Sequence, residues 1–387
     1  MPTWIIEPRD PLIVRDGRPF NADPGVRAAS VPFPFPSTTT GGVRQRAGLD
    51  QEGRFDKRRI AEVKALAVRG PLLVEIDADD TLHWYAPAPA DALLLGGAHE
   101  GRVKIHCLAP LVPTAGSATS LPPDLLPVGL VQRTKGKPSS DAPQFWYWKQ
   151  FEAWLTAPAD QICAPDELGL KGLPRDTRTH VSIADNARTA SEGALFQTIG
   201  LVFTDKERRR LGLGVVTATA FHHFEGGLAP LAGERRLVTW RQREEPLPAC
   251  PPALRTAIVA HGACRVVLLT PAFFADGSRP GPLLAPSHGV TPRLLAGCVP
   301  RAQVVSGWDL ERGQPKPTRR LAPAGSVYFL TLEGTADARA AWVDAHWMAC
   351  VSDEREEFSA GRDGFGLLAL GVWDGKLRQM GDADARS

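Results

Sequence analysis

Cationic and hydroxyl side chains are concentrated in residues 177–203, whose sequence is TRTHVSIADNARTASEGALFQTIGLVF. The stretch places Arg178, Thr179, His180 and Arg188 close together. Guanidinium groups pair with phosphates, and hydroxyl groups donate hydrogen bonds to them. These residue types therefore predict contacts with the backbone of a nucleic acid. The alternative is an ordinary solvated surface, because most arginines of a folded protein are exposed.

A pair of strands must position these side chains. Polar and apolar residues alternate over 179–183, an apolar run covers 194–203, and Asp185-Asn186 between them is typical of a turn. The pattern predicts a long β-hairpin with a polar face that carries the four side chains named above. We expect its other face to supply aliphatic side chains to a core: Val181, Ile183, Leu195 and Val202.

A second candidate phosphate site lies at residues 31–46. Prolines at alternate positions of VPFPFPS force an extended backbone, and Ser37 or Thr38 is a suitable N-cap for a following helix. Such a helix start offers N–H groups and hydroxyls to an anion, with Gly41 keeping it thin and Arg44 and Arg46 one turn further on. A capped helix with glycine for close packing explains the same residues equally well.

Length and composition describe a folded, water-soluble protein. The chain has 387 residues, which suggests two domains, and 43% of them are hydrophobic and 23% charged. It contains neither an apolar run long enough to span a bilayer nor a signal-peptide pattern at its start, so we expect a cytoplasmic protein. The net charge of +2 argues against a protein that coats nucleic acid indiscriminately.

Charge is nevertheless uneven along the chain. Residues 75–100 contain six acids and no Lys or Arg, whereas residues 206–243 contain eight bases against three acids. We interpret this as a basic face for a polyanion opposite an acidic face for a protein partner.

The six cysteines show no C-x-x-C spacing, so neither a zinc site nor a disulfide framework is predicted. We expect no cofactor and no metal.

The predicted elements are mostly short strands mixed irregularly with a few helices. Strands are predicted at 4–6, 70–76, 82–85, 212–220, 235–241, 265–270, 302–306, 326–332 and 365–373, and a helix at 338–346. Residues 265–270 are so apolar that their strand should be central in a sheet. This mixture favours an α+β fold with antiparallel sheets over a parallel doubly wound one.

Nine blocks of sequence, in this order, resemble one family. They are PRDPLIVRDGRPF, FPSTTTGGVR, GPLLV, YAPAPADAL, THVSI with EGALF, GERRL, LLTPAFF, KPTRRLAPAGSVYF and GFGLLALGVW, spread from residue 4 to about 375. The family is that of the third subunit of the Cmr effector complex, a Cas-five-like group of the RAMP superfamily in type III-B CRISPR systems.

The resemblance implies two ferredoxin-like (RRM-like) domains with long insertions, which we place at 1–200 and 201–387. It also implies a non-catalytic role in antiviral defence, in which the subunit binds the 5′ handle of the CRISPR RNA. The implied protein partners are the large polymerase- and cyclase-like subunit and the first backbone RAMP subunit.

Specific residues follow from the same resemblance. The segment from Ser37 to Arg44 is similar to the superfamily's P-S-S-L-K-G-x-x-R helix start, although Thr40 stands where many members have Lys. Gly364 and Gly366 fit its glycine-rich loop, whose amides can approach a phosphate. Four further arginines complete the predicted RNA-binding set: Arg235, Arg236, Arg319 and Arg320.

Two other functions remain open at the level of sequence. The chain could be a metal-independent endoribonuclease with His180 as general base, although no second acid-base partner is evident near it. It could also mainly bridge proteins, with RNA contacts incidental.

Overall fold

Short strands dominate the structure, a computed structural model that describes residues 2–15, 27–28, 30–99, 101–132, 134–183, 189–205, 207, 209–218, 226–309, 313–355 and 358–379. The helices are α1 (Pro36–Ala47), α2 (Ile60–Ala65), α3 (Trp148–Thr156), α4 (Pro165–Leu168), α5 (Pro252–His261), α6 (Gly281–Leu284) and α7 (Ala336–His346), with a 3-10 turn at Lys57–Arg59. The strands up to residue 201 are β1 (Thr3–Pro8), β2 (Arg27–Ala28), β3 (Val68–Ile76), β4 (Leu82–Pro87), β5 (Ala92–His99), β6 (Arg102–Cys107), β7 (Ala109–Val112), β8 (Val128–Gly129), β9 (Phe145–Tyr147), β10 (Gln161–Cys163), β11 (Gly169–Leu170), β12 (Arg175–Ile183) and β13 (Ala190–Leu201). The later strands are β14 (Arg210–Thr217), β15 (Gly227–Leu231), β16 (Arg236–Arg243), β17 (Ala263–Leu268), β18 (Thr291–Cys298), β19 (Gln303–Val305), β20 (Trp308–Asp309), β21 (Gln314–Pro315), β22 (Arg319–Leu321), β23 (Val327–Glu333), β24 (Glu354–Arg355), β25 (Phe358–Ser359), β26 (Leu368–Val372) and β27 (Arg378–Gln379).

The largest sheet has eight strands in the order β11-β9-β4-β3-β14-β1-β16-β15. All its pairings are antiparallel. Strand β1 lies between β14 and β16, which explains why its residues Trp4, Ile5 and Ile6 are completely buried. Strands from 210–243 thus share a sheet with strands from the first 90 residues, whereas the division into two domains at residue 200 stays a prediction.

A second sheet has the strand order β18-β23-β17-β26 and is also antiparallel throughout. Strand β17 lies inside it and every one of its residues is buried, as the apolar sequence predicted. With seven short helices set against these sheets in the described residues, the prediction of an α+β fold with antiparallel sheets is confirmed.

The two sheets share one continuous core. Trp84 and Trp146 of the large sheet belong to the same buried cluster as Val266 and Leu330 of the second sheet. Helix α3 packs against both β4 and β26, and it buries Phe151, Trp154 and Leu155 between them. Among the described residues no helix is long and apolar enough to cross a membrane.

The predicted hairpin is confirmed: β12 pairs antiparallel with β13 from Arg175 opposite Leu201 to Val181 opposite Leu195. Its aliphatic face, however, is not in the core. Val181 is 44%, Ile183 63% and Leu195 58% exposed, so the prediction that they are buried is wrong. The alternating pattern determined the strand, but nothing local determined whether another element would cover it.

A buried ion pair links the second sheet to the segment before β5. Arg265 of β17 contacts Asp91 just before β5, and both side chains are at most 2% exposed. The Arg265 Nε donates to the Val372 carbonyl (2.9 Å) and its Nη2 to the Trp154 carbonyl at the end of α3 (2.6 Å). The Trp154 indole donates to the other Asp91 oxygen (3.0 Å). This network joins the second sheet, α3 and the segment before β5 at one point.

Removing one member of this pair should be strongly destabilising. We expect Arg265→Met to lower the free energy of unfolding by about 3–5 kcal/mol, because Asp91 would be left charged and unpaired in the core. Urea unfolding followed by circular dichroism measures it.

The matched control is Arg293→Met, because Arg293 pairs with Glu333 on the same sheet but both side chains are more than half exposed. It should cost less than about 1 kcal/mol. Equal losses in the two variants would contradict the central role of the buried pair.

Candidate functional site

Five of the predicted site residues come together at one surface groove of about 650 Å³. They are Ser37, Thr38, Gly41, Arg235 and Arg319. The rest of the lining comes from residues 13–15 after β1, helix α1, the β15–β16 turn, the segment around the β19–β22 pair and β25. These residues are Ile13, Val14, Arg15, Gly42, Gln45, Pro230, Leu231, Ala232, Gly233, Val305, Ser306, Gly307, Lys316, Pro317 and Phe358.

The groove is cationic. Arg15, Arg235, Lys316 and Arg319 line it, and its described lining residues include no Asp or Glu. Arg319 pairs in register with the buried Val305 across β19 and β22, and its guanidinium lies 5.9 Å from the ring centroid of Phe273. Four cations around one concave surface focus a positive potential there, which favours an anionic ligand.

A turn in an uncommon backbone conformation forms one wall. Ala232, Glu234 and Arg235 have φ of 62°, 55° and 50°, a region that residues other than glycine rarely adopt. Gly233 between them donates its N–H to the Ile13 carbonyl (2.9 Å), which anchors the turn. Such conformations cost about 1–3 kcal/mol each and cluster at functional sites. The turn holds the exposed Arg235 at the groove.

Helix α1 forms the opposite wall, but it begins differently from the prediction. The helix starts at Pro36, and Phe35 is the N-cap without a side-chain hydrogen bond, so the prediction of Ser37 or Thr38 as N-cap is wrong. Proline is favoured at the first helical position because its φ is already helical and it lacks an N–H. Ser37 and Thr38 therefore lie in the first turn, where they line the groove.

The two glycines of α1 have different roles. A Cβ at Gly42 would lie 2.7 Å from Leu231 and 3.1 Å from Trp240, so close packing explains this glycine. A Cβ at Gly41 would meet nothing within 4 Å, and the residue is exposed in the groove. Glycine inside a helix costs about 0.5–1 kcal/mol relative to alanine. No packing within the described part of the chain explains that cost at Gly41.

Arg44 does not face the groove. Its Nη1 lies 2.6 Å from the buried Asp363 carboxylate and its Nη2 donates to the Leu66 carbonyl (3.0 Å). Thr40, at the position where a Lys was expected from the resemblance, donates its hydroxyl to the Asp363 carbonyl (2.7 Å). These contacts attach α1 to the loop before β26.

The glycines of that loop are packing positions. Gly364 and Gly366 are buried, with φ of 95° and 77°, and a Cβ at Gly364 would lie 2.4 Å from the Gly70 carbonyl oxygen. Their amides already donate to the carbonyls of Gly361 and Pro271. The expectation that these amides face a phosphate is therefore not met, because the chain itself uses them.

Arg46 lies at the edge of the large sheet. Its Nη2 donates to the Gly226 carbonyl (3.0 Å), and its guanidinium lies over the Trp240 ring. Partial burial lowers the pKa of this guanidinium from its usual value. Arg46 thus covers the edge strand β15, and it does not line the groove.

The hairpin presents its predicted residues on two different faces. His180 stacks on Phe196 and its Nε2 lies 2.9 Å from the Thr198 hydroxyl, while Arg178 is half exposed and pairs with Asp176. Thr179 lies on the opposite face, because successive residues of a strand alternate. Arg188 lies outside the described residues.

The remaining predicted arginines also differ from one another. Arg236 pairs with Glu234 (2.7 Å) and is largely buried. Arg320 follows Arg319 on β22 and is exposed opposite Val304, away from the residues that line the groove.

The acidic and basic stretches meet each other. Asp80 contacts Arg241 and Arg243, and Glu7 contacts Arg210 and Arg241. At Asp80 the two stretches therefore neutralise each other in part, whereas the interpretation of two opposite charged faces stays a prediction. Sequence reasoning also missed Arg15 and Lys316 as groove residues. Arg15 lies in the block PRDPLIVRDGRPF and Lys316 in the block KPTRRLAPAGSVYF, but neither block indicated that the two side chains would line one groove.

A family model described as "CRISPR-associated protein (Cas_Cmr3)" matches residues 4–373. The search of curated proteins found no match.

Solved structures with a similar chain include a type III-B Cmr-β complex bound to cognate target RNA and AMPPnP, at 13% identity and a TM-score of 0.46 over 89% of this chain and 88% of that chain. The same type of complex bound to cognate target RNA matches at 15% identity and 0.46, over 84% and 86%. A Csm3–Csm4 subcomplex of type III-A matches at 10% and 0.34, over 87% and 94%. With TM-scores below 0.5, these likenesses add no argument to the family match.

The two glycines of α1 give a matched pair of variants. Gly41→Ala should raise the free energy of unfolding by about 0.5–1 kcal/mol, because a methyl group fits there and the helix gains propensity. Gly42→Ala should lower it by about 1–3 kcal/mol through collision with Leu231 and Trp240. Urea unfolding of both variants measures the difference. Destabilisation by Gly41→Ala would show that the position is packed within the chain.

Proposed function

The chain belongs to the Cas_Cmr3 family of CRISPR-associated proteins and is a subunit of a type III CRISPR effector complex, and from this premise we propose that its groove binds the 5′ handle of the CRISPR RNA. The observation that carries the proposal is the convergence of Ser37, Thr38, Gly41, Arg235 and Arg319 on one groove whose described lining contains no acid. Single-stranded RNA is bound through cations, hydroxyls and close backbone approach, all of which this groove offers.

Gly41 supports the same proposal. A helical glycine without a packing reason is explained if a ligand approaches the helix backbone there. The first turn of α1 adds the positive end of the helix dipole, which favours a phosphate. The turn around Arg235 holds a guanidinium across the groove without a long, mobile loop.

We propose further that the two sheets belong to two ferredoxin-like modules. The strand order β3-β14-β1-β16 in the large sheet corresponds to the order β18-β23-β17-β26 in the second. In each sheet the strand that comes first along the chain (β1 or β17) lies between the third (β14 or β23) and the fourth (β16 or β26), and the second (β3 or β18) lies beyond the third. In both, the first and third strands are neighbours at the centre. On this proposal the hairpin β12–β13 is an insertion between the second and third strands of the first module.

The proposed protein partners are the large polymerase- and cyclase-like subunit and the first backbone RAMP subunit. The aliphatic side chains of Val181, Ile183 and Leu195 are exposed together, which fits a protein contact better than a phosphate contact. We therefore assign the bridging role in part to this hairpin.

The groove assignment predicts a difference between two neighbouring arginines. Arg319→Gln should weaken binding of single-stranded repeat RNA and lower the slope of log K against log salt by about one charge, because one phosphate contact is lost. Arg320→Gln is the matched control and should change neither. Fluorescence anisotropy across a salt series measures both quantities.

Arg235→Gln should behave like Arg319→Gln, because both side chains line the groove. Equal effects of Arg319→Gln and Arg320→Gln would place the RNA elsewhere, and unchanged binding in all three variants would contradict the groove as the RNA site.

We propose that the subunit itself does not cut RNA. His180 contacts Thr198 and Phe196, and among the described residues no acid or lysine contacts it to complete an acid-base pair. Incubation of the pure protein with repeat RNA in EDTA should leave the RNA intact. Cleavage that disappears in His180→Ala but persists in His83→Ala would identify an endoribonuclease.

A further inference from the structure

A second cavity, of about 620 Å³, lies between the first part of the chain and the face of the second sheet. It shares no lining residue with the cationic groove. Its walls come from the β6–β7 bend, the segment after α3 and strands β17, β23 and β26: His106, Cys107, Leu108, Ala109, Leu130, Val131, Gln132, Thr156, Ala157, Pro158, Ala159, Asp160, Arg265, Phe329, Val372, Trp373, Asp374 and Arg378.

An aspartate fixes which ring nitrogen donates a hydrogen bond in His106, the one histidine of this wall. His106 Nδ1 lies 2.8 Å from the Asp160 Oδ2, and Asp160 Oδ1 accepts the Cys107 N–H (2.9 Å). A carboxylate can only accept, so Nδ1 carries a proton and donates it. In the neutral imidazole, Nε2 is then a hydrogen-bond acceptor.

That acceptor is buried and unpaired within the described residues. The His106 side chain is 5% exposed, and its Nε2 contacts no hydrogen-bond partner among residues that the structure describes. A buried polar atom without a partner costs about 1–3 kcal/mol. Of the atoms in this state among the described residues, His106 Nε2 is the one that belongs to a residue lining this cavity.

The charges of the cavity are balanced, unlike those of the groove. Arg378 pairs with Asp374 (3.0 Å), Arg265 pairs with Asp91, and Asp160 contacts His106. Burial raises the pKa of the Cys107 thiol to about 11, so the thiol is neutral at physiological pH. The cavity therefore gives no net attraction to an anion.

Much of the remaining wall is apolar. Leu108, Leu130 and Val131 lie on one side, and Phe329 and Trp373 pack edge to face with ring centroids 5.4 Å apart on the sheet side. A concave, mostly apolar site with a few fixed polar groups is typical of small-molecule sites.

We propose that this cavity binds an uncharged, flat small molecule that donates one N–H or O–H hydrogen bond to His106 Nε2. The apolar wall supplies the affinity, and the imidazole tautomer held by Asp160 selects a donor. This site is independent of the proposed RNA groove, since the two share no residue.

The test uses the full-length protein and two probes that differ in one group, indole and 1-methylindole. Indole keeps the N–H donor, and its methylated analogue lacks it. Ligand-observed NMR titration should give an affinity for indole that is about five-fold higher or more, the effect of one buried hydrogen bond. The 15N chemical shift of His106 Nε2 should move only with indole.

Two variants then separate the hydrogen bond from general packing. His106→Leu should abolish the preference for indole. Asp160→Asn should also abolish it, because the amide can donate to Nδ1 and so transfer the imidazole proton to Nε2. The matched control is His83→Leu, whose histidine also pairs with an aspartate, Asp77, but through Nε2 (2.9 Å), and is half exposed outside the cavity. It should leave the preference unchanged.

Failure is equally clear. Absence of binding of either probe at millimolar concentration, equal binding of both, or an unchanged preference in His106→Leu or Asp160→Asn would overturn the proposal. None of these results bears on RNA binding in the groove.

Discussion

The contact between Arg265 and Asp91 is the interaction on which the arrangement of this fold depends most. A buried guanidinium and a buried carboxylate are stable only when each finds the other and further hydrogen bonds as well. Here those partners come from β26 of the second sheet and from the carboxyl end of α3, where a cation is favoured by the helix dipole. The pair therefore fixes how α3 and the start of β5 lie against the second sheet, because any displacement would leave charge in the core unsatisfied.

A second long-range contact positions the candidate site. Asp363, just before β26, holds both Thr40 and Arg44 of α1, and the buried Gly364 allows its loop to approach Gly70 of β3. Through these contacts α1 is attached to the loop at the end of the second sheet. The groove is thus held on its α1 side by residues that do not line it.

The arginines of this chain divide by their neighbours. Those on strands beside Glu7 or Asp80 are neutralised within the sheet, and they contribute to its stability. Arg235 and Arg319 lie at the groove, the first on a turn and the second on a short strand pair. The described residues that line the groove include no Asp or Glu. The same residue type thus stabilises the sheet in one place and lines the groove in another. The second cavity differs from the groove because its charged side chains are paired.

Sequence by itself determined much that is local. Alternation identified the hairpin of β12 and β13, an apolar run identified the central strand β17, and the ordered blocks identified the family. Sequence also named five of the residues that line the groove. Only the tertiary structure decided which acids pair with Arg44, Arg241 and Arg265, because those acids lie more than 150 residues away along the chain. It likewise decided that the aliphatic face of the hairpin is exposed, since burial depends on elements that pack from elsewhere and a strand's own period cannot report them.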